Sequence, residues 1–339
     1  MNHTTGEPEH HRKPLMEVHG LVKHYGGSRG VLRRAESPVQ AVDGVSFTVH
    51  DGETFALVGE SGCGKSTLGR LLLRLETPTA GQVLFRGTDI ATARRNDLRP
   101  IRRHMQMVFQ NPQSSLNPRL TIGQTVSEPL EVHGLPSGAE RVRELLDLVG
   151  LPDRVANHYP HEFSGGQRQR VGLARALATE PSFLVCDEPV SALDVSIQAQ
   201  ILNLLVRLRE QLGLTYFFIS HDLGVVRYLA DRVAVMYLGR IVEVATVADL
   251  FDAPLHPYTR ALLSAVPSRD PDDANRRQRI VLQGDLPSAA DPPSGCRFRT
   301  RCPIARDVCA EEDPPLRTLA TGHDVACHFA EDQLEADAA

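Results

Sequence analysis

The sequence predicts an α/β fold built around a central parallel sheet, and two observations predict it. Short apolar runs of the kind found in buried parallel strands alternate along the chain with segments of helical spacing. One of these runs leads into a glycine-rich turn and then a helix. A chain of 339 residues, 41% of them hydrophobic, can form one large domain or two smaller ones with a sizeable core. In such a fold the ligand lies at the carboxyl ends of the strands.

The elements can be assigned in chain order. The pattern predicts strands over residues 16–23, 39–49, 54–58, 101–109, 183–187, 214–220 and 232–238. It predicts helices over residues 65–75, 171–178 and 194–212, and two more within residues 122–150 that are separated at residues 133–138. The Gly- and Arg-rich segment 26–38 predicts a loop. From about residue 267 the composition changes to Pro, Asp and Arg, which predicts the end of the core domain and a loop-rich tail.

Composition and the N-terminus exclude several function classes. The formal charge of −5 is not the strongly basic balance of a nucleic-acid-binding domain, so no nucleic-acid partner is expected. No stretch approaches the roughly 20 apolar residues that a membrane span needs. Residues 1–14 are polar, so we expect a disordered terminus and not a signal peptide. We therefore expect a soluble intracellular protein whose link to any membrane runs through partners.

A glycine-rich loop predicts a phosphate site. Residues 59–67 fit the pattern G-x-x-x-x-G-K-[ST] between a strand and a helix, an order that argues against a chance glycine-rich turn. The glycines let successive N–H groups face phosphate oxygens, and the helix adds its positive end. We expect Lys65 to reach the β- and γ-phosphates of a nucleotide and the hydroxyl of Ser66 to bind Mg²⁺. Further contacts are expected from Gly59, Ser61, Gly62, Cys63, Gly64 and Thr67.

Three later segments complete the predicted site. The apolar run 183–188 ends in Asp187, placed to hold Mg²⁺, and Glu188, placed to polarise an attacking water. Residues 163–170 place Ser164 and two glycines at a helix start, which predicts a second anion site. Residues 219–222 follow a later strand, and His221 could reach a γ-phosphate.

Together these motifs resemble the ATP-binding cassette (ABC) family over roughly residues 16–265. By this resemblance the Walker A motif is residues 59–67 and the Walker B motif is residues 183–188. The signature motif is residues 163–167, with Phe163 where Leu is commoner, and the D-loop is residues 191–194. The resemblance also identifies Gln110 as the Q-loop residue, His221 as the switch histidine and Tyr25 as the aromatic that stacks on adenine. The alternative for Tyr25 is an ordinary core or surface tyrosine.

The resemblance implies both a fold and a mechanism. The fold is a P-loop NTPase (RecA-like) core with a β-subdomain and a helical signature subdomain at about residues 111–170, all within residues 15–265. ATP and Mg²⁺ are the implied ligands, and Gln110 joins Ser66 and Asp187 at the metal. Lys65, Gln110, Glu188 and His221 are the implied catalytic residues. In a dimer, the nucleotide held by the facing subunit would be contacted by Ser164, Gly165, Gly166, Gln167 and Asp194.

Further segments resemble one branch of the family. Residues 59–64, 108–118, 187–196 and 256–263 are similar to the second ATPase subunit of dipeptide and oligopeptide importers, a likeness that extends to about residue 330. It implies a heterodimer with a related ATPase subunit, two transmembrane permease subunits and an external substrate-binding protein, with this chain peripheral on the cytoplasmic face of the inner membrane. Residues 110–120 would meet the permease. Relatives import nickel, glutathione or sugars with similar ATPases, so these substrates stay open.

Two other classes fit the sequence less well. A soluble ABC-type ATPase acting on ribosomes would usually carry two cassettes, whereas this chain has one set of motifs, and a chromosome-organising ATPase would need long heptad coils. An interaction module with a dead site would not be expected to keep Lys65, Asp187, Glu188 and His221.

The predicted extension, residues 266–335, carries four cysteines, Cys296, Cys302, Cys309 and Cys327. A segment with little core often uses a metal as a staple, and four thiolates suit Zn²⁺ or an iron–sulfur cluster. The close C-x₂₋₄-C pairs of structural zinc are absent, which favours [4Fe–4S], and some peptide-importer ATPases resemble this chain in carrying such a cluster. Free or disulfide-bonded thiols remain the third alternative.

Cys63 lies inside the phosphate loop. The simple interpretation is a small side chain that fits a tight turn. Because a helix start lowers a thiol pKa, we also expect alkylation of Cys63 to block ATP binding and ATP to protect the thiol.

Overall fold

The computed structural model describes residues 13–26, 37–111, 115–266, 280–319 and 323–338. The predicted disordered terminus and the loop at residues 26–38 lie mostly outside these ranges, as does the boundary at residue 267. The described strands are β1 (Pro14–Tyr25), β2 (Val39–His50), β3 (Thr54–Val58), β4 (Ala80–Phe85), β5 (Thr88–Asp89), β6 (Met105–Val108), β7 (Phe183–Asp187), β8 (Thr215–Ile219), β9 (Arg232–Tyr237), β10 (Arg240–Thr246), β11 (Arg317–Thr318) and β12 (Asp324–Val325).

The helices are numbered in chain order over the same described ranges. They are α1 (Lys65–Leu72), α2 (Arg95–Arg102), α3 (Ile122–His133), α4 (Ala139–Leu148), α5 (Gly165–Leu177), α6 (Val195–Leu212), α7 (Leu223–Leu229), α8 (Val247–Asp252), α9 (Pro257–Ser264), α10 (Val308–Glu311) and α11 (Ala330–Ala338), with 3₁₀ turns at Asp153–Asn157 and Pro160–Glu162. Across these ranges, no helix combines the length and apolar character that crossing a bilayer requires.

The main sheet has a parallel centre, which confirms the predicted α/β class. Its strand order is β11-β12-β10-β9-β3-β8-β7-β6, and the five strands from β9 to β6 run parallel. Every residue of β3, β7 and β8 is buried, which explains their continuous apolar runs. Because parallel strands end at one edge, the loop after β3 and the acids at the end of β7 lie together.

A smaller antiparallel sheet, β2-β1-β4-β5, packs beside the main one. The rings of Phe47 and Phe55 stack at 5.2 Å and those of Phe47 and Phe217 at 5.7 Å, so aromatic packing joins the two sheets. The sequence pattern did not predict β4 or β5. The first three residues of β4 are exposed, so the strand lacks the apolar alternation that would reveal it.

Helices α3, α4 and α5 share a hydrophobic core with α6 and with strands β7 and β8. The break predicted within residues 122–150 is confirmed, because α3 ends before Gly134 in the left-handed conformation and α4 begins at Ala139. Helix α5 begins six positions earlier than predicted. The side chains of Ser164 and Gln167 form a capping box there, which fixes the helix start at Gly165.

The predicted strand at residues 101–109 is too long. Ile101 belongs to α2, whose buried side chain is Leu98, and the strand begins only at Met105. Apolar residues lie on both sides of the α2–β6 turn, and the segment between Ile101 and Met105 contains no Gly or Pro that would reveal the turn in the sequence.

The C-terminal extension is fastened to the main sheet. Strand β12 pairs with β10 through Glu243 with Val325 and Val244 with Asp324, and β11 pairs in turn with β12. Phe298, which is 1% exposed, packs against Tyr237 and Tyr258 of the core domain. The bounds predicted for the domains, including those at residues 265 and 266, stay predictions.

Candidate functional site

The loop of residues 59–67 has a backbone that only glycine adopts easily. Gly59, Gly62 and Gly64 have φ of 155°, 80° and 109°. A Cβ on Gly59 would lie 2.2 Å from the carbonyl oxygen of Met236, and one on Gly64 would lie 2.0 Å from that of Ala41. Close packing against β9 and β2 therefore holds the loop in a curled form ahead of α1. A curled loop of this kind ahead of a helix is suited to bind phosphate through its backbone N–H groups.

Lys65 lies folded across this loop. Its Nζ donates to the carbonyl oxygens of Gly59, at 2.8 Å, and Glu60, at 2.9 Å, and the residue is only 5% exposed. The ammonium group is therefore fixed beside the cradle before any ligand arrives. A buried cation in this position suits an anionic ligand.

An open pocket of about 470 Å³ lies in front of the loop. Its size falls in the usual range for small-molecule sites. It is lined by Val39, Ala41, Ser61, Gly62, Gly64, Lys65, Ser66, Thr67, Gln110, Glu188, His221 and Ala289. Most of the predicted loop residues thus meet the residues predicted to act on the γ-phosphate. Val39, Ala41 and Ala289 were missed, because small and apolar residues give no chemical signal in a sequence.

Ser66 and Asp187 supply a pair of oxygen donors at the base of the pocket. The hydroxyl of Ser66 donates to Oδ1 of Asp187 at 2.9 Å. Burial raises the pKa of Asp187; the Ser66 hydrogen bond opposes this, and the adjacent charge of Glu188 adds to it. A desolvated carboxylate beside a hydroxyl is a donor set that fits Mg²⁺, a hard cation that prefers oxygen.

Two side chains contact the same carboxylate oxygen of Glu188. Its Oε2 accepts from Nε2 of Gln110 at 2.8 Å and lies 3.2 Å from Nδ1 of His221. Glu188 also has φ of 44°, a left-handed conformation that is strained in a residue with a side chain. Its backbone N–H donates to the carbonyl of Ile219, which ties the strained residue to β8. The Glu188 side chain is part of the pocket lining.

The predicted signature residues do not line this pocket. Ser164 and Gln167 are exposed at the start of α5, and Asp194 is exposed at the start of α6. Tyr25 is likewise outside the pocket lining but remains 38% exposed, and its hydroxyl donates to Glu76. The ammonium of Lys23 lies 4.8 Å from the Tyr25 ring centroid.

Cys63 does not have the lowered thiol pKa expected at a helix start, and its reaction with alkylating reagents stays a prediction. The residue is 1% exposed, and burial raises the pKa of its thiol even though Lys65 opposes the shift. The helix start lowers a thiol pKa only where the thiolate can be solvated. Sγ of Cys63 would lie 2.9 Å from a Cβ on Gly59, which agrees with the simple interpretation of a small side chain in a tight turn.

The four tail cysteines lie near one another and are all free thiols. Burial raises the pKa of Cys327 to about 12, and the other three thiols contribute to this shift. Burial also raises the pKa of Cys302 to about 11, with added effects from Cys296 and Cys309. Nevertheless, no group of three or more His, Cys, Asp or Glu side chains within the described ranges is arranged to hold a metal ion.

Comparison with known proteins gives a consistent result. Residues 42–191 match the family model "ABC transporter", and residues 242–309 match "Oligopeptide/dipeptide transporter, C-terminal region". A putative peptide import ATP-binding protein of Brucella ovis is 56% identical over 317 residues, covering 93% of this chain and 97% of the relative. The oligopeptide transport ATP-binding protein AppF of Bacillus subtilis is 52% identical over 322 residues, covering 94% and 98%.

Solved structures agree with these relatives. The dimeric post-hydrolysis state of the ATP-binding cassette MJ0796, bound to ADP and phosphate, is similar with a TM-score of 0.61 and 32% identity. The similarity covers 68% of this chain and 98% of that one. A cbiO1 cassette from Clostridium perfringens, part of a cbiONQ transporter complex, is similar with a TM-score of 0.61 and 28% identity, over 70% and 90% of the two chains.

Proposed function

This chain belongs to the ABC transporter family of ATP-binding proteins, and from that premise we propose that its ATP hydrolysis powers the import of di- and oligopeptides. The observation that carries the proposal is the single pocket in which Lys65, Ser66, Glu188 and His221 meet. The peptide substrate rests on the match of residues 242–309 to the oligopeptide/dipeptide C-terminal region and on the names of the relatives.

The residues of the pocket divide the work of hydrolysis. The loop N–H groups and Lys65 bind the phosphates, and Tyr25 stacks on the adenine. Ser66, Asp187 and Gln110 would hold Mg²⁺, and the cation would supply charge neutralisation to the phosphate oxygens. Glu188 orients a water for in-line attack on the γ-phosphate and accepts its proton. Because Gln110 and His221 both contact Oε2 of Glu188, we assign the other oxygen, Oε1, to that water.

A second ATPase subunit completes the site. Ser164, Gly165, Gly166, Gln167 and Asp194 are outside the chain's own pocket, and Ser164, Gln167 and Asp194 are exposed. The N–H groups at the start of α5 suit a phosphate. We propose that they contact the γ-phosphate of ATP held by a related subunit, so that two cassettes enclose two nucleotides as a heterodimer. The solved relative MJ0796 is itself a dimer.

The transmembrane permease subunits dock beside Gln110 in this proposal. A groove of about 310 Å³ lies there between β6 and α3, and Leu75, Phe109, Pro129 and Val132 give it an apolar lining. A short permease helix can bury its apolar face in such a groove. Because Phe109 precedes Gln110, movement at the nucleotide can reach the permease directly. The chain would then be peripheral on the cytoplasmic face of the inner membrane, with an external binding protein delivering the peptide.

The four tail cysteines form the remaining part of the proposal. We propose that they bind a [4Fe–4S] cluster, with Zn²⁺ as the alternative, after a small rearrangement of the tail. Support comes from the effect of the other three thiols on the pKa of Cys327 and from the sparse regular structure around them, since α10 spans only Val308–Glu311. The role would be structural or redox-sensing.

Transport of labelled peptides tests the main proposal. Cells with intact partner genes would carry this chain, its Glu188→Gln variant or its Glu210→Gln variant. Glu210→Gln is the matched control, because it removes an exposed carboxylate on α6. We expect peptide uptake to be lost only with Glu188→Gln. Unchanged peptide uptake with a variant shown to lack ATPase activity would contradict the peptide substrate, and nickel, glutathione and sugars would be tested next.

Anaerobic purification tests the cysteine proposal. We expect a brown protein with the visible absorbance and the iron and sulfide content of a [4Fe–4S] cluster. Cys302→Ser should lose the colour, whereas Cys63→Ser, which changes a cysteine outside the tail, should keep it. Bound zinc without colour would support the alternative, and four freely titrating thiols without metal would contradict both.

A further inference from the structure

The tail reaches the phosphate loop through one ion pair. Nη1 of Arg301 donates to both carboxylate oxygens of Glu60, at 3.2 and 3.0 Å. Glu60 is the second residue of the loop, and Arg301 precedes Cys302 in the extension. The Arg301 side chain is 10% exposed and that of Glu60 is 28% exposed, so the pair is partly screened from water. Removing one partner of such a pair leaves the other charge partly desolvated and uncompensated, which costs more than at an open surface.

Glu60 is held at three separate groups. Its backbone N–H donates to the hydroxyl of Tyr258 at 2.9 Å, and its carbonyl oxygen accepts from Nζ of Lys65 at 2.9 Å. The carboxylate is the third group, and Arg301 holds it. Lys65, which is assigned to the nucleotide phosphates, is therefore hydrogen-bonded to the backbone of Glu60, the residue whose side chain the tail holds.

An aromatic cluster supports this contact. The ring centroids of Tyr237 and Tyr258 are 4.7 Å apart, and Phe298 packs on both at 5.2 and 5.4 Å. Phe298 comes from the tail, between Cys296 and Cys302, and both cysteines pack against the same cluster. The guanidinium of Arg301 lies 6.0 Å from the Tyr237 ring. Buried aromatic packing therefore places Arg301 opposite Glu60.

Charge explains why the contact matters for the nucleotide. Within the described ranges, Arg301 is the cation within ion-pair distance of the Glu60 carboxylate. ATP brings several negative charges to the same loop. Without Arg301, an unneutralised carboxylate would stand next to the phosphate cradle and repel the ligand.

We propose that Arg301 is a positioning residue of the ATP site, which fixes Glu60 and neutralises its charge so that the loop binds phosphate. The proposal rests on the ATP site described above. It makes the extension part of the nucleotide-binding machinery. Because coupling between two sites is reciprocal, ATP should also stabilise the docked tail.

ATP affinity of the purified full chain tests the proposal. All variants would carry Glu188→Gln to suppress hydrolysis, and ATP binding would be titrated with magnesium present. We expect Arg301→Gln to weaken ATP binding about tenfold, within the usual range of coupled sites. Arg301→Lys should recover part of the loss. Arg299→Gln should bind like the parent, because Nε of Arg299 contacts the carbonyl of Ser294 within the tail.

Replacing Glu60 distinguishes an effect of its unneutralised charge from misfolding of the Arg301→Gln variant. Glu60→Gln in the Arg301→Gln background should return the affinity to within about threefold of the parent, a coupling that two independent sites would not show. High salt should reduce the Arg301→Gln defect. Parent-like affinity of Arg301→Gln, or a defect that Glu60→Gln leaves unchanged, would overturn the proposal. Lys65→Ala tests the ATP site itself, so failure there would be recognised separately.

Discussion

The adjacent acids Asp187 and Glu188 are expected to lower the folding stability of the ligand-free chain. Asp187 is 4% exposed and has a raised pKa, and Glu188 has a left-handed backbone. Both features are unfavourable in a chain without ligand and become useful only when a cation and a polarised water are held there. Local cost at a functional residue of this kind can be measured.

Replacing Asp187 with asparagine should separate stability from activity. The folded chain binds the Asp187 proton more tightly than the unfolded chain, whose pKa is near 3.8, so stability falls as pH rises above that value. Asp187→Asn should therefore raise the Tm of the nucleotide-free protein at pH 7, while ATPase activity falls at least about 10²-fold. The control is Asp147→Asn, an exposed change on α4. A lower Tm for Asp187→Asn would contradict the argument.

His256 should make the fold sensitive to mild acid. It is 1% exposed, and burial lowers its pKa from 6.5 to about 4, with Glu243 opposing the shift. Stability from the neutral ring is therefore complete above pH 6.5 and is lost as pH falls from 6.5 towards 4. The shift corresponds to on the order of 3 kcal/mol.

Chemical unfolding at several pH values measures this dependence. His256→Asn keeps a side chain suited to the start of α9, where Nδ1 of His256 accepts from the N–H of Tyr258 at 3.0 Å. We expect that variant to show a flatter profile between pH 6.5 and 4. His19→Asn, at an exposed position, should keep the parent profile. Identical profiles for the parent and His256→Asn would show that another group titrates.

Two helices carry the same cap with different functional consequences. Ser164 with Gln167 begins α5, and Thr121 with Gln124 begins α3, each as a capping box. Ser164→Ala and Thr121→Ala should each lower the free energy of unfolding by about 1 kcal/mol. Only Ser164→Ala should also lower ATPase activity of the assembled transporter, because only that helix start is assigned to the partner's nucleotide. Equal activity losses in the two variants would point to stability alone.

The elements that the sequence could predict are those with a single dominant signal. Strands β3 and β7 were predicted at their observed bounds, because continuous burial leaves a continuous apolar run. The half-exposed strand β4 and the short helix α2 left no such signal. At the site, Lys65 and Asp187 could be predicted from motifs, whereas the left-handed φ of Glu188, the burial of Cys63 and the contact of Ala289 depend on distant chain segments.

At the scale of the whole molecule, the proposed mechanism divides each ATP site between two cassettes. The phosphate loop of a single chain lines its own pocket, whereas Ser164, Gln167 and Asp194 are exposed outside it, so the proposal requires a second cassette for closure. We expect the Glu188→Gln chain to double its mass by light scattering when ATP and the related subunit are present. Lys65→Ala should remain monomeric under the same conditions, since it removes the phosphate contact. A monomer under every condition would contradict the dimer mechanism.

The pairing of β12 with β10 has a consequence for solubility. Strand β10 would be an outer strand of the main sheet without its two-residue partner, and its free N–H and C=O groups would offer a template to other chains. Removal of β12 would also take His323 away from the fully buried carboxylate of Glu243, 2.7 Å from it. A chain truncated before residue 323 should therefore aggregate through this open edge, even though every residue of its nucleotide pocket is retained.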